Sequence, residues 1–363
     1  MFEVLKSNSR LETKILKNSL AESPFGTLFT DHMFLMHYDE DNLWHEGKIM
    51  PFGSLSLHPA SSVFHYGQAI FEGLKIYCGD DGNIRFFRIG ENSKRFNRSA
   101  QRMLMPKVSA EIFKNAITEL VKVDKNFVPE IKDGSLYIRP FMFAAQPTLG
   151  VSPSSKFVFC IIASPVGSYF KNSPKAIDIW IEQEYVRAFP GGVGAAKFSG
   201  NYAASFAAQQ KALEQNCDQV IFLDALNREN FEELGAMNIF FIKDNYIITP
   251  AVSDTILKGV TRDSVLCIAK EFNLNICERA YSLNELKRDI ETNSLKESFA
   301  CGTAASIVSI KKFKYANGEL YINCKEEYKF ADKIRTKLTN IQSGAEDDIY
   351  GWTEIIINQD DFY

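Results

Sequence analysis

The segment Phe189-Pro-Gly-Gly-Val-Gly-Ala-Ala-Lys-Phe-Ser-Gly-Asn-Tyr202 sets one lysine, Lys197, among small residues just ahead of a helical stretch. Gly191, Gly192, Gly194 and Gly200, with Ala195 and Ala196, let backbone and ligand approach closely there. Two familiar glycine motifs fail at this point. A phosphate loop needs Gly directly before the lysine and Ser or Thr directly after it, and this chain has Ala196 and Phe198. A dinucleotide fingerprint starting at Gly192 needs Gly or Ala where Lys197 stands. What remains is amine chemistry: a lysine that has shed its proton can form a Schiff base with a carbonyl. A solvated loop lysine is the competing reading.

Anion-holding groups come next. Leu257-Lys-Gly-Val-Thr261 directly precedes a helix, where free backbone N–H groups and the Thr261 hydroxyl make a cradle. Cys301-Gly-Thr-Ala-Ala305 is a small-residue turn of similar capacity. Arg95, Arg98 and Arg102 share one helix face by i, i+3, i+7 spacing. That face reads as solvated, with one arginine able to turn inward to a phosphate. Glu232-Glu233-Leu-Gly-Ala-Met-Asn238 opens a buried-looking strand, and a buried carboxylate there needs a cation. Glu232 is expected to be an exposed turn residue. Tyr137 and Arg139 are two apart in a strand-like segment, so both face one side of a sheet.

The elements that must carry these groups mix helices and strands. Strands are expected over Leu28–Tyr38, Gly73–Cys78, Ile84–Arg88, Leu136–Ala144 and Lys156–Ala163, with a hairpin at Gly79–Asn83. Helices are expected from Asn92 to about Met105 and from Ala110 to Lys122. In the second half, strands are expected at Ala176–Tyr185, Gln219–Asp224, Met237–Ile242 and Tyr246–Thr249. Helices are expected at Asn201–Asn216, Thr261–Phe272 and Lys325–Ile341, with a capping box at Ser282–Glu285 and a type I′ turn at Asn317-Gly318. Ser164–Lys175, with its prolines and small polar residues, marks the domain boundary. The division is a small N-terminal domain over 1–168, a linker over 169–175, and a large C-terminal domain over 176–363 that carries Lys197. The pattern is too irregular for a (β/α)8 barrel.

Composition narrows the function classes. The chain has 363 residues, enough for about two domains. Lys plus Arg total 41 against 45 Asp plus Glu, a net charge of −4, which gives no general attraction to nucleic acid or anionic lipid. No apolar stretch approaches the ~20 residues needed to span a bilayer. Glu3 and Glu12 speak against a transit peptide. The 7 cysteines are odd in number and form no CxxC pair, so they read as reduced thiols in a reducing compartment, the cytoplasm. The 5 histidines show no HExxH-type spacing, and no metal site is expected.

Taken in order along the chain, these segments resemble the branched-chain-amino-acid aminotransferases of the fold-type IV (D-amino-acid aminotransferase-like) pyridoxal-phosphate enzymes. The resemblance spans roughly Phe25 to Trp352. It is carried by Phe25-Gly, Phe29-Thr-Asp-His-Met33, Leu57-His-Pro-Ala-Ser61, His65-Tyr-Gly67, Phe71-Glu-Gly-Leu-Lys75, Tyr137-Ile-Arg-Pro140 and Leu149-Gly-Val151. It continues through Gly191–Gly194, Lys197–Tyr202, Glu233–Asn238, Gly259-Val-Thr-Arg262 and Gly302-Thr-Ala304. It implies an α/β (α+β) fold of two domains with the active site between them. Lys197 would hold pyridoxal 5′-phosphate covalently and shuttle a proton. Glu233 would face the ring nitrogen, and Tyr202 the phenolic oxygen. Arg95, Val260, Thr261 and Thr303 would hold the phosphate. Thr303 and Ala304 would meet the substrate carboxylate. Phe25, Tyr66, Phe71, Tyr137, Arg139 and Tyr169 would line the pocket, with Leu149 and Val151 reaching the neighbouring subunit's site in a homodimer. The implied reaction moves the amino group of L-leucine, L-isoleucine or L-valine to 2-oxoglutarate, giving L-glutamate. Rivals are a D-amino-acid aminotransferase, an aminodeoxychorismate lyase, or a scaffold that lost its chemistry. The last predicts a missing lysine or phosphate ligand, and none is missing. Two departures from some relatives stand out: Ala305 and Val308 replace a CxxC redox pair, and Ala236 replaces Thr.

Overall fold

The run Phe157–Ala163 is apolar throughout because its strand is covered on both faces. Phe157, Phe159, Ile161 and Ala163 enter one core, while Val158 and Cys160 enter a second core on the other side. Burial pushes the Cys160 thiol up to about 12. The computed structural model describes residues 2–7, 20, 23–132, 134–167, 169, 175–323 and 328–362. They fall into two compact units: Met1–Lys171, Lys197–Ser199 and Asn340–Tyr363 in the first, Asn172–Ala196 and Gly200–Thr339 in the second.

The first unit is built on a sheet of β1 (Glu3–Val4), β2 (His32–Asp39), β3 (Leu43–Pro51), β4 (Ala69–Phe71), β5 (Leu74–Cys78), β6 (Ile84–Phe87), β7 (Ser135–Ala144), β8 (Phe157–Val166) and a C-terminal strand, Thr353–Ile357. The order is β1-β3-β2-β8-β7-β5-β6 and then the C-terminal strand, with β4 beside β7. Apart from β1 on β3, the pairings are antiparallel. Helix α1 (Ser62–Tyr66) is short; α2 (Ile89–Arg102) and α3 (Ala110–Val123) cover one sheet face. Phe96 and Ala100 of α2 and Phe113, Ile117 and Leu120 of α3 pack there with Phe34, Ile138 and Phe159. The Ser109 hydroxyl caps α3 by accepting from the Ile112 N–H at 3.1 Å.

The second unit is built on β9 (Ala176–Glu182), β10 (Gln219–Leu223), β11 (Phe231–Leu234), β12 (Asn238–Lys243), β13 (Tyr246–Thr249), β14 (Asn275–Glu278), β15 (Leu295–Gly302), β16 (Ser306–Tyr315) and β17 (Gly318–Tyr321). The order is β11-β10-β9-β16-β15-β12-β13-β14, with β17 on β16. Strand β11 also pairs with β12, through Glu233 opposite Asn238, so β9, β10, β11, β12, β15 and β16 close into a ring. The helices of this half of the chain are α4 (Ser199–Ala203), α5 (Phe206–Glu214), α6 (Val260–Glu271), α7 (Leu283–Glu291) and α8 (Lys329–Ser343).

Several expectations shift on contact with tertiary structure. The helix expected over Asn201–Asn216 breaks into α4 and α5. At the break the Ser205 hydroxyl donates to the Tyr202 carbonyl at 2.7 Å, competing with the helical ladder. Only half of the Ser282–Glu285 capping box forms. The Ser282 hydroxyl accepts from the Glu285 N–H at 3.0 Å, but the Glu285 carboxylate is drawn instead to both terminal nitrogens of Arg279. The turn at Asn317-Gly318 is not of type I′, because Asn317 lacks positive φ and Gly318 already pairs with Tyr315. Within the segment 176–363, residues 340–363 group with the first unit, where Thr353–Ile357 pairs with β6. Lys197 groups with the first unit as well. Of the linker expected at 169–175, all but Tyr169 and Lys175 lies outside the described residues, as do 325–327 at the start of the last expected helix. No helix of the described residues is long and apolar enough to cross a membrane.

Helix α8 takes its cap from another element. Glu297 of β15 is 2% exposed and accepts from the Phe330 and Ala331 N–H groups at 2.9 and 3.0 Å. A carboxylate there meets two orphan donors and the positive end of the helix. Glu297→Ala is expected to cost about 2–4 kcal/mol, since one buried and one half-buried donor lose their acceptor. Thermal denaturation measures this, and an unchanged midpoint would show that water replaces the cap.

Candidate active site

Lys197 is held by its backbone. Its N–H donates to the Ser99 hydroxyl at 2.9 Å, and its carbonyl accepts from the Phe71 N–H at 3.1 Å. The next residue, Phe198, forms an antiparallel bridge with Ile70. Strand β4 and helix α2 thus fix where the lysine leaves the chain. Its Nζ lies 4.6 Å from the centroid of the Phe71 ring.

Phe71 also meets Arg139, whose guanidinium carbon is 4.7 Å from the same ring and 5.4 Å from the Tyr137 ring. Arg139 Nη2 donates to the Tyr137 hydroxyl at 3.1 Å, so the two side chains do share one face of β7. Phe25 packs edge-on against Tyr137 and Tyr169, at 5.2 Å each. Gly73 leaves room beside them, because a Cβ there would fall 1.9 Å from the Tyr137 hydroxyl and force that ring to move. The first unit therefore brings Phe25, Phe71, Tyr137, Arg139, Tyr169 and Lys197 together. Tyr66, Leu149 and Val151 form a separate exposed group, joined by the Tyr66 hydroxyl donating to the Leu149 carbonyl.

Of the three arginines on α2, Arg95 alone is buried, and Arg98 and Arg102 are not. Arg95 is paired with a residue that sequence reasoning missed. Glu72 is 0% exposed and accepts from Arg95 Nε at 2.7 Å and Nη2 at 2.8 Å. Asn92 Nδ2 and the Gly73 N–H complete its hydrogen bonds at 3.0 and 3.1 Å. Burial alone would raise the Glu72 carboxyl, but the charges of Arg95 and Lys197 and these hydrogen bonds hold it below the usual carboxylate range. The signal was available: a lone carboxylate inside the apolar stretch Ala69-Ile-Phe-Glu-Gly-Leu needs a cation. One edge of the Arg95 fork meets Glu72; the Nη1/Nη2 edge is the one able to meet a phosphate.

In the second unit Glu233 stands at the ring closure. Its Oε1 accepts from Asn238 Nδ2 at 2.5 Å, and its Oε2 accepts from the Leu257 N–H at 3.1 Å and lies 2.8 Å from Arg187 Nη2. The cation expected beside Glu233 is thus Arg187. Glu232, expected to be exposed, is buried at 7%. The ring closure draws the whole of β11 inside, and Glu232 accepts from the Thr255 hydroxyl at 2.6 Å. Burial pushes its carboxyl up.

Asn238 organises the neighbouring loops. It donates to the Leu257 carbonyl at 3.2 Å and pairs across the sheet with Cys301, next to Gly302, Thr303 and Ala304. A Cβ on Gly259 would fall 2.1 Å from Asn238 Oδ1, so any side chain there would displace the Asn238 amide. Gly259 is also the N-cap of α6 and offers no side-chain cap, and a helix start of this kind, at Val260 and Thr261, suits an anion. Thr303 and Ala304 are half-buried in the turn after β15, and Tyr202 is half-buried on α4. The second unit thus gathers Glu233, Val260, Thr261, Thr303 and Ala304 around Asn238.

The donor set has a definite chemical address. In the first unit an amine fits a carbonyl and a guanidinium fits a phosphate; in the second, a helix N-terminus fits a phosphate and a buried carboxylate fits a protonated nitrogen. Residues 69–313 match the family described as Amino-transferase class IV. A branched-chain-amino-acid aminotransferase of Mycolicibacterium smegmatis is 41% identical over 96% of this chain and 96% of its own length. A branched-chain-amino-acid transaminase 1 of Bacillus subtilis is 44% identical over 91% of this chain and 93% of its own. Among solved structures, the branched-chain amino acid aminotransferase of Thermobaculum terrenum in its PLP-form superposes with a TM-score of 0.73. It shares 20% identity, and the match covers 91% of this chain and 99% of that one.

Proposed function

We propose, from the premise that the chain belongs to the class IV amino-transferases and within them to the branched-chain-amino-acid aminotransferases, that Lys197 is the residue through which it works. The reaction is the reversible transfer of the amino group of L-leucine, L-isoleucine or L-valine to 2-oxoglutarate, with pyridoxal 5′-phosphate as cofactor. When bound, the cofactor supplies an electron sink for the charge left at the substrate Cα. The observation that carries the assignment is the pinned backbone of Lys197, with its amine against Phe71 and Arg139 on the same ring.

Each residue has a task in this reading. Lys197 Nζ takes the Cα proton and returns it. Glu233 keeps the ring nitrogen protonated. Arg95, Val260, Thr261 and Thr303 hold the phosphate, Tyr202 the phenolic oxygen, and Thr303 with Ala304 the substrate carboxylate. Phe25, Phe71, Tyr137 and Tyr169 give an aliphatic side chain apolar walls. A spectrum of the cofactor-loaded protein tests the class. Its absorbance is expected to change with L-leucine and not with D-leucine; a response to the D-isomer alone would favour a D-amino-acid aminotransferase.

Arg139 decides between substrates. The second substrate carries a distal carboxylate, and Arg139 with the Tyr137 hydroxyl can pair it; Arg139 Nε has no hydrogen-bond partner among the described residues. Arg139→Met is expected to weaken glutamate and 2-oxoglutarate about ten- to a hundredfold, from a charge-assisted contact of ~1.5–3 kcal/mol. Leucine should lose less. Equal losses in the two half-reactions would mean that Arg139 only braces the tyrosines.

The same reading extends to assembly and compartment. Leu149 and Val151 are 67% and 87% exposed, which supports their reaching a partner subunit's site in a homodimer. Six cysteines among the described residues are free thiols, which supports a reducing compartment, the cytoplasm.

A further inference from the structure

Arg187 is buried in a cluster that stability alone does not account for. Its side chain is 7% exposed, and Nη2 serves Glu233 Oε2 at 2.8 Å as well as the Thr255 carbonyl. Its Nε is buried without a hydrogen-bond partner among the described residues. Glu232, on the same strand as Glu233, also has a buried Oε2 without a hydrogen-bond partner among the described residues. One guanidinium therefore sits among two carboxylates, and polar capacity on both it and Glu232 is left unmet. Unmet buried polar atoms destabilise, and apolar side chains of equal volume would serve a purely structural core as well or better. What the arrangement does achieve is directional. Arg187 makes its close contact with Glu233, while Glu232 is held by the Thr255 hydroxyl. Asn238 and the Leu257 N–H fix the same Glu233 carboxylate from other sides, so its orientation is fully determined.

We propose that Arg187 is the positioning residue for Glu233, fixing its rotamer and maintaining its negative charge so that it meets a protonated ring nitrogen. The proposal rests on the role given to Glu233 above. It places Arg187 outside contact with substrate, acting only through the carboxylate. Lysine, a point charge without the fork, should substitute in part. A neutral side chain should leave Glu233 a buried charge without a counter-charge, which favours its protonated form.

The test compares apo-protein affinity for pyridoxal 5′-phosphate with that for its 1-deaza analogue, in which a C–H replaces the ring nitrogen. Wild type is expected to prefer the natural ring about ten- to a hundredfold, the range for a hydrogen bond to a charged group. Glu233→Gln should abolish the preference. Arg187→Met should abolish most of it, Arg187→Lys should restore part, and Arg187→Met should add nothing in the Glu233→Gln background. Arg187→Gln gives the same reading if the methionine variant does not fold. A wild-type preference retained in a folded, neutral Arg187 variant, alongside its loss in Glu233→Gln, overturns the proposal and leaves the Glu233 role standing. A preference retained in Glu233→Gln, or absent from wild type, removes the Glu233 role and the proposal with it.

Discussion

Lys197→Ala is expected to lose transamination by roughly 10⁴-fold or more, because the residue serves both as covalent anchor and as proton carrier. The fold should survive. The hydrogen bonds to Ser99 and Phe71 are made by the lysine's backbone, and alanine keeps both. Borohydride reduction of the loaded wild-type protein should fix the cofactor to a peptide containing Lys197. The informative competitor is Lys75, in the same unit, whose amine burial pushes down to about 8. A lysine with that proton affinity is partly neutral near pH 8 and therefore nucleophilic. Cofactor recovered on a Lys75 peptide would move the anchor to β5. A Lys197→Ala protein that borohydride no longer links to the cofactor would keep it where the backbone pinning puts it.

The second large effect belongs to Glu72. Replacing it by Gln leaves Arg95 as a buried cation without its counter-charge, a loss of about 3–5 kcal/mol. At about 2 °C or more per kcal/mol, the melting temperature should fall on the order of 10 °C. The pH dependence has a definite sign. A carboxyl held low in the folded state contributes stability above its unfolded pKa of ~4.3, and that contribution disappears as pH falls through the folded value. The gap between wild type and Glu72→Gln should therefore be full at neutral pH and narrow under acid conditions. Inorganic phosphate should stabilise the variant more than the wild type, since a bound anion gives Arg95 a new partner. Equal melting points at pH 7 would mean that Arg95 draws its compensation from elsewhere.

Much of this is legible in the sequence because the informative residues break local rules. A lysine among glycines, a helix start after Gly259 and a Tyr-Ile-Arg-Pro strand each combine a chemical group with a backbone constraint. Period-2 spacing alone places Tyr137 with Arg139, and the structure adds the hydrogen bond between them. What stays hidden depends on pairings distant in sequence. Glu232 reads as a turn residue because nothing local reveals that β11 closes a ring against β12. Arg187 lies 46 positions from Glu233, and only the fold brings the two to 2.8 Å. Glu72 stands in a recognised segment, yet the spacing of Arg95 reads only as a solvated face with one arginine able to turn to a phosphate, and it gives no sign of Glu72. The split of the helix at Ser205 comes from one hydroxyl turned back on the chain.

The pairing of Thr353–Ile357 with β6 also sets an order of events during synthesis. Those residues leave the ribosome after all of the second unit, so that unit is complete while the first sheet still lacks its last strand. Until then the backbone groups of β6 form an open edge, the kind of surface that recruits strands from other chains. Ile84 and Phe86 lie on that edge and end in the core, as does Ile357. A chain cut before residue 353 would therefore keep every strand of the second unit and leave an open edge on the first. Docking of Thr353–Ile357 closes that edge.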